Sequence, residues 1–116
     1  MNQSMPFRDN LPEELKVRER RRGVRVNSRV PVVVEMEPAA GQAERLEGHT
    51  RIVGPYGCLV VLPHPMELEQ RMKLTNLATQ LSNEAMIVWK GKERTEGWEF
   101  GVELFDPPMD FWGLDL

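Results

Sequence analysis

Short apolar runs separated by turn-forming residues are the feature that most restricts what this chain can fold into. In the clearest run, residues 98–104, large apolar side chains alternate with glutamate or glycine. A period of two is typical of a β-strand that buries one face. Residues 58–62 are five apolar residues in succession, bounded by Gly57 and Pro63, which suits a strand covered on both faces better than a helix. The chain is therefore predicted to be built from strands.

The same reasoning predicts strands at 30–37, 43–53 and 84–90. In the first of these, alternate apolar residues share one face: Val32, Val34 and Met36. Between the strands lie turn signals at 38–41 and 54–57 and a charged hairpin loop at 91–97.

Segment 66–81 is ambiguous, because its first residues have helical propensity whereas its threonines and apolar residues also allow a strand. We expect a turn followed by a strand that ends near Ala78. Six short strands with little helix then indicate a closed antiparallel barrel or a sandwich. A length of 116 residues suits one domain. We expect residues 1–17 to be a largely flexible tail and residues 18–116 to form the domain.

The large aromatic residues are divided between strands and the end of the chain. Trp89 and Trp98 fall on strand faces and are expected in the core. Phe111 and Trp112 follow the last strand, where exposed rings would form a sticky patch. We expect them either to cap the barrel or to anchor a homodimer.

Composition argues against several functional classes. Cys58 is the only cysteine, so neither a disulfide framework nor a cysteine-based zinc site is expected, and a reducing cytoplasm fits best. Residues 1–10 do not resemble a signal peptide, and no run is long enough to span a membrane. His49 and His64 offer few nucleophile–base pairs, and the acids at 96, 99 and 103 suit a solvated outer face. We therefore expect no enzyme, no metal and no cofactor.

A cationic segment precedes the first predicted strand. Residues 18–29 contain six arginines and one glutamate and carry a net charge of +5, although the whole chain carries −3. The planar arginine fork binds a phosphate or a guanine edge with two hydrogen bonds and stacks on a base. A solvated basic arm is an equally good interpretation. The acidic total argues against a general nucleic-acid coat, and Gly23 argues against a continuous basic recognition helix.

This segment resembles the PilZ domain family of bacterial cyclic di-GMP receptors. The first motif of that family is Arg-x-x-x-Arg followed by Pro-Val, and here Arg21 and Arg25 precede Pro31-Val32. Further similarities, from about residue 18 to residue 112, are Thr50 with Gly57, Val88-Trp89, the run 101–104 and Phe111-Trp112. The resemblance implies an all-β fold, a six-stranded antiparallel β-barrel with a flexible arginine-bearing N-terminal arm, and cyclic di-GMP as the ligand.

The second motif of the family, Asp/Asn-x-Ser-x-x-Gly, is degenerate in this chain. Ile52 stands at the Asp/Asn position and Gly54 at the Ser position, so only Gly57 is retained. The resemblance implies that these positions hydrogen-bond a guanine base. Each lost hydrogen bond is worth about 0.5–1.5 kcal/mol. Two losses weaken affinity by roughly tenfold to a hundredfold.

The resemblance places the ligand contacts on Arg21 and Arg25, with Arg22 as a third contributor and Gly57 in the second motif. His49 and Arg51 are candidates for replacement contacts, although exposed polar strand residues are the more common case. Gly54 and Gly57 are expected to serve backbone geometry in the turn, with close approach to a ligand as a second interpretation.

Three functions remain open from the sequence. The first is a non-enzymatic cyclic di-GMP receptor or adaptor that presents a changed surface to an effector protein. The second is a degenerate PilZ-like domain that does not bind the nucleotide and acts in protein interaction or dimerisation. The third, much less favoured, is a small nucleic-acid-binding barrel that uses the same basic run.

Overall fold

Residues 24–36, 44–114 and 116 are described by the computed structural model, and each regular element among them is a β-strand. The strands are β1 (Val26–Asn27), β2 (Pro31–Met36), β3 (Glu44–Gly54), β4 (Gly57–Leu62), β5 (Arg71–Asn76), β6 (Leu81–Arg94) and β7 (Gly97–Leu104). The tail predicted at 1–17 and the turn predicted at 38–41 lie outside the described residues, so the domain boundary stays a prediction. Within the described part of the chain, no helix is long and apolar enough to cross a membrane.

The strands form one closed antiparallel sheet. The order β3-β2-β5-β6-β7-β4 is completed by pairing of β4 with β3, so six strands make a barrel. The short β1 adds a seventh strand, which pairs with the end of β3. Closure satisfies the hydrogen-bonding groups that an open sheet would leave at its edges. The predicted six-stranded barrel is confirmed, with one additional strand.

The barrel interior holds the side chains that the alternating pattern assigned to it. Val32, Val34 and Met36 all lie in the main hydrophobic core, and β4 is buried along its whole length. Segment 66–81 contains a turn followed by β5, as expected. The strand ends at Asn76 rather than Ala78, because the Asn76 Oδ1 accepts hydrogen bonds from the backbone amides of Ala78 and Thr79. Those bonds turn the chain.

Two glycines on neighbouring strands allow close backbone contact with β4. A Cβ atom at Gly48 would lie 2.2 Å from the carbonyl oxygen of Val61, and one at Gly97 would lie 2.3 Å from that of Leu62. Gly97 also has a φ of +142°, which side chains rarely tolerate. Both positions therefore require glycine for the barrel to close.

The prediction of a hairpin loop at 91–97 is wrong. β6 continues to Arg94, and only Thr95 and Glu96 form the turn before β7. Irregularities in the β6–β7 register between Lys90 and Glu93 absorb extra residues, so pairing resumes at Glu93↔Trp98. The charged residues of this segment are exposed at the end of a long hairpin. Their charge therefore does not indicate that the segment lacks strand structure.

A second irregularity, between Ile87 and Trp89, corrects the prediction that Trp89 belongs to the main core. The shift places Trp89 with a separate cluster formed by Ile52 and Leu59. Gly101 pairs with both Trp89 and Leu59 in register, so its missing side chain leaves room between them. Trp98, in contrast, packs partly buried against the main core, as predicted.

The acids on β7 also differ from expectation. Glu99 and Glu103 are only 5% and 8% exposed, although their positions predicted a solvated outer face. Trp98 is the only residue of β7 that is not buried. For Glu99 the cover includes Arg51 and Arg94, which both contact its carboxylate.

Residues after β7 fold back and cap the barrel. Phe111 and Trp112 are buried in the main core, with their rings 4.9 Å apart and nearly perpendicular. The carbonyl of Phe111 accepts hydrogen bonds from Asn76 Nδ2 (2.9 Å) and Thr79 Oγ1 (3.0 Å). Trp112 Nε1 donates to the Gly54 carbonyl at 2.8 Å. Of the two roles expected for these rings, the structure supports the cap.

Candidate functional site

Arg25 of the first motif and the degenerate second motif meet through the pairing of β1 with β3. Val26 pairs with Val53 and Asn27 with Ile52, so Arg25 lies beside Gly54. Residues 28–30 are held by further bonds to β3. The buried Thr50 Oγ1 accepts from the Val30 amide (2.9 Å) and donates to the Ser28 carbonyl (2.7 Å). These bonds anchor the end of the arginine segment on the barrel.

Gly54 provides space for Arg25. A Cβ atom at Gly54 would lie 3.0 Å from Cγ of Arg25 and 3.7 Å from the carbonyl oxygen of Val24. Neither Gly54 nor Gly57 has a positive φ, so the expectation that they serve backbone geometry in the turn gains no support from a left-handed conformation. For Gly54 the physical reason is the close approach of the arginine stem. An added side chain here must displace Arg25.

Ile52 is part of an apolar cluster on the outer surface of the barrel. It is 7% exposed and belongs to the same cluster as Leu59, against which Val88 and Trp89 pack. A hydrocarbon side chain cannot donate or accept a hydrogen bond. The position that the resemblance assigns to base recognition is therefore filled by packing.

A β-bulge at Arg51 changes which side chains face outward. Thr50 pairs with Val60 and Ile52 with Leu59, so Arg51 is the extra residue between two paired positions. Its carbonyl accepts a hydrogen bond from the Ser28 amide at 3.0 Å. Bulges commonly re-aim a side chain in this way. Arg51 and Ile52 consequently line the same outer groove.

This groove, which we call the β1–β3 groove, has a volume of about 460 Å³ and is of the size that small ligands occupy. Its lining combines three basic side chains with one acid and several small polar groups: Asn27, Ser28, Arg29, His49, Thr50, Arg51, Ile52 and Glu96. It lies next to Gly54 and Arg25 along the β1–β3 pairing. A polar ligand that carries negative charge suits this lining.

Glu99 fixes the position of Arg51. The Nη1 atom of Arg51 contacts Oε2 of Glu99, and Nε of Arg94 contacts the same oxygen at 2.9 Å. The Glu99 side chain is 6% exposed, whereas those of Arg51 and Arg94 are 42% and 46% exposed. A buried carboxylate held by two cations is compensated. The unit as a whole has a charge of +1 and extends from Arg51 on β3 across β4 to Glu99 on β7 and Arg94 on β6.

His49 lies at the other side of the groove and is less exposed than expected, at 15%. Its Nε2 lies 3.6 Å from Oε1 of Glu96. Burial lowers the pKa of His49, and the charges of Arg29 and Arg51 lower it further, whereas Glu96 acts in the opposite direction. The balance of these effects indicates that the groove around His49 disfavours additional positive charge.

The lowered pKa of His49 predicts a pH dependence of stability. Unfolded His49 binds a proton near its ordinary pKa of 6.5, whereas folded His49 binds one only at lower pH. The unfolded state then holds more protons between these two values, so the free energy of unfolding should fall as pH decreases through this window. Urea denaturation at pH 5 to 8 should show a weaker dependence in His49→Gln than in the wild type.

His64 offers a matched control for this measurement. It is exposed, and its Nδ1 contacts only the neighbouring Pro65 carbonyl among the bonds described. His64→Gln, measured in parallel, shows how much of any change follows from replacing a histidine by glutamine in general. An unchanged profile in His49→Gln would contradict the assignment.

The structure brings together four of the six site residues that the sequence suggested: Arg25, Ile52, Gly54 and Gly57. Arg21 and Arg22 lie outside the described residues, so their roles stay predictions. Sequence reasoning missed Arg29, Glu96 and Glu99 as neighbours of the site. Their proximity depends on strand pairing across the barrel, for which the local sequence has no signal. Among the described residues, no group of histidine, cysteine or acidic side chains could hold a metal ion.

Comparison with known families agrees with the fold and with the motifs. A family model for the PilZ domain matches residues 19–111. The chain belongs to the PilZ domain family. No curated protein and no solved structure gives a significant match. The PilZ family is one of receptor and adaptor domains of the cyclic di-GMP-binding type.

Proposed function

We propose that this PilZ domain is a cyclic di-GMP receptor or adaptor in which Arg21, Arg22 and Arg25 grip the nucleotide. The observation that carries the proposal is the position of Arg25 beside Gly54, at the junction of the two family motifs. Anchoring of residues 28–30 by Thr50 supports it, because the arginine segment then leaves the barrel at a fixed point.

The ligand chemistry fits this arrangement. Cyclic di-GMP carries two phosphates and two flat guanine bases. Arginines pair with phosphate oxygens, bind the O6/N7 edge of guanine and stack on base faces. Closing the arginine segment over the ligand changes the surface next to the barrel, and we propose that an effector protein recognises this change. We place this function in the cytoplasm, where the buried thiol of Cys58 stays reduced.

A second function is favoured by one specific observation. Ile52 is buried against Leu59 in the cluster on the outer surface of the barrel. The position that contacts a guanine base in the family therefore packs against other side chains here. In this alternative the domain no longer binds the nucleotide and acts as a protein-interaction or dimerisation module, including a possible homodimer.

Titration calorimetry with cyclic di-GMP tests the proposal. The wild type should bind saturably, and Arg25→Ala and Arg21→Ala should each weaken binding by roughly tenfold to a hundredfold, the effect of losing a charge-assisted hydrogen bond of about 1.5–3 kcal/mol. Arg45→Ala is the matched control, since Arg45 is exposed on β3 opposite Glu35, away from Gly54. It should bind as the wild type does.

If no heat of binding is measured even at high protein concentration, the receptor function is ruled out and the protein-interaction function is favoured. Sedimentation of the same sample would then show whether the domain is a dimer.

A further inference from the structure

The β1–β3 groove contains an arginine that the family motifs do not assign to the ligand. Arg51 is the bulged residue of β3 and lines the groove together with Ile52, while its Nη1 contacts Glu99 beside the groove. The bulge is what brings these two neighbours onto the same face. The groove therefore offers a hydrogen-bonding group immediately beside the position where the motif has lost one.

We propose that Arg51 recognises a guanine base of the bound nucleotide and so replaces the base contacts missing at Ile52 and Gly54. This inference rests on the proposed function and concerns its specificity. Arg51 donates from its guanidinium edge to O6 and N7 of guanine, and Glu99 is a positioning residue that holds Arg51 in place.

The geometry of Arg51 meets the requirements of this role. Its Nη1 contacts Glu99, while its side chain is 42% exposed in an open groove. A guanidinium group has five N–H donors in a fixed fork, so the contact with one carboxylate oxygen uses a small part of its capacity. Holding a rotamer-rich side chain in advance lowers the entropy cost of binding. Arg51 is thus both oriented and accessible.

The surroundings of Arg51 suit a flat base attached to an anion. Ile52 contributes a small apolar edge to the groove, since only 7% of its surface is exposed. Arg29 and His49 add basic groups to the groove, and Glu96 is the one acid among the described residues that line it. Burial is the main cause of the lowered pKa of His49, and the charges of Arg29 and, to a smaller extent, Arg51 act in the same direction.

Comparison of cyclic di-GMP with cyclic di-AMP tests the proposal. Guanine presents two acceptors at O6 and N7, whereas adenine presents N7 and an N6 donor that opposes the second arginine donor. The wild type should prefer cyclic di-GMP. Arg51→Ala should lose roughly tenfold to a hundredfold in cyclic di-GMP affinity, with the preference over cyclic di-AMP reduced to near unity. Arg51→Lys keeps the charge without the fork and should not restore the preference.

Arg94→Ala is the matched control, since Arg94 contacts the same Glu99 oxygen and is similarly exposed but does not line the groove. It should lower stability about as much as Arg51→Ala while leaving both affinities and their ratio unchanged. Denaturation curves of the two variants establish that comparison.

The remaining outcomes are decisive. If Arg25→Ala loses affinity but Arg51→Ala keeps the wild-type affinity and preference, the assignment of Arg51 is wrong and the receptor function stands. If Arg94→Ala loses the preference as strongly as Arg51→Ala, the effect is structural and the assignment is also wrong. A wild type that binds neither nucleotide overturns this inference together with the proposed function.

Discussion

Replacing Gly97 by alanine should lower the free energy of unfolding by about 3 kcal/mol or more, a large part of the stability of a domain of this size. Two effects combine. The φ of +142° at Gly97 is strained for any residue with a Cβ, and that Cβ would lie 2.3 Å from the carbonyl oxygen of Leu62. Leu62 pairs with Trp98 at the end of the β4–β7 ladder. Because the obstacle is backbone, relief requires the strands to separate.

Urea denaturation of purified protein measures this effect, and Gly113→Ala is the control. Gly113 also has a positive φ, of +71°, but it is exposed, and its added Cβ would meet only the end of the Thr79 side chain. We expect a loss of about 1–2 kcal/mol there, the cost of a left-handed residue. Equal losses at both positions would show that the contact with Leu62 does not matter.

Replacing Asn76 by alanine should cost about 3 kcal/mol, because it removes one hydrogen bond between the cap and the barrel and leaves two turn amides without their side-chain acceptor. Asn76 is fully buried. Its Nδ2 donates to Phe111 O at 2.9 Å, and its Oδ1 accepts from the amides of Ala78 (2.8 Å) and Thr79 (3.3 Å). Groups left unpaired in a buried site pay the full cost of desolvation. Thermal denaturation followed by tryptophan fluorescence measures the loss.

Asn83→Ala is the control for this prediction. It shows whether the loss of a hydrogen bond from an asparagine to the segment after β7 is enough to cause the effect. Asn83 Nδ2 also donates to a carbonyl after β7, that of Phe105 at 2.8 Å, but the side chain is only partly buried. Water can replace its bonds, so we expect a change below about 1 kcal/mol. A loss at Asn76 as small as this would rule out a structural role for the buried amide.

The alternation of apolar with other residues along the strands was sufficient to predict the barrel and the side chains that face its interior. Val32, Val34 and Met36 on β2 follow a strict period of two, and the structure buries all three. What alternation could not provide was the position of bulges. One extra residue reverses the face of the residues beyond it, and no residue type marks it uniquely. Trp89 was therefore assigned to the wrong cluster.

The candidate site was predictable to the extent that it lies in contiguous motifs. Arg25, Ile52, Gly54 and Gly57 could be identified from spacing and resemblance alone. The partners of Arg51 could not, because Glu99 and Arg94 are 48 and 43 residues away in sequence and meet Arg51 only across β4. An ion pair between distant strands depends on register, which is a property of the complete sheet.

The sharing of Glu99 by Arg51 and Arg94 has an evolutionary consequence. When one arginine is substituted, the other still neutralises the carboxylate, so the fold escapes the penalty of a bare internal anion. Such redundancy lets position 51 vary at modest cost to the scaffold. Substitutions at either arginine can thereby accumulate one at a time while the barrel remains folded.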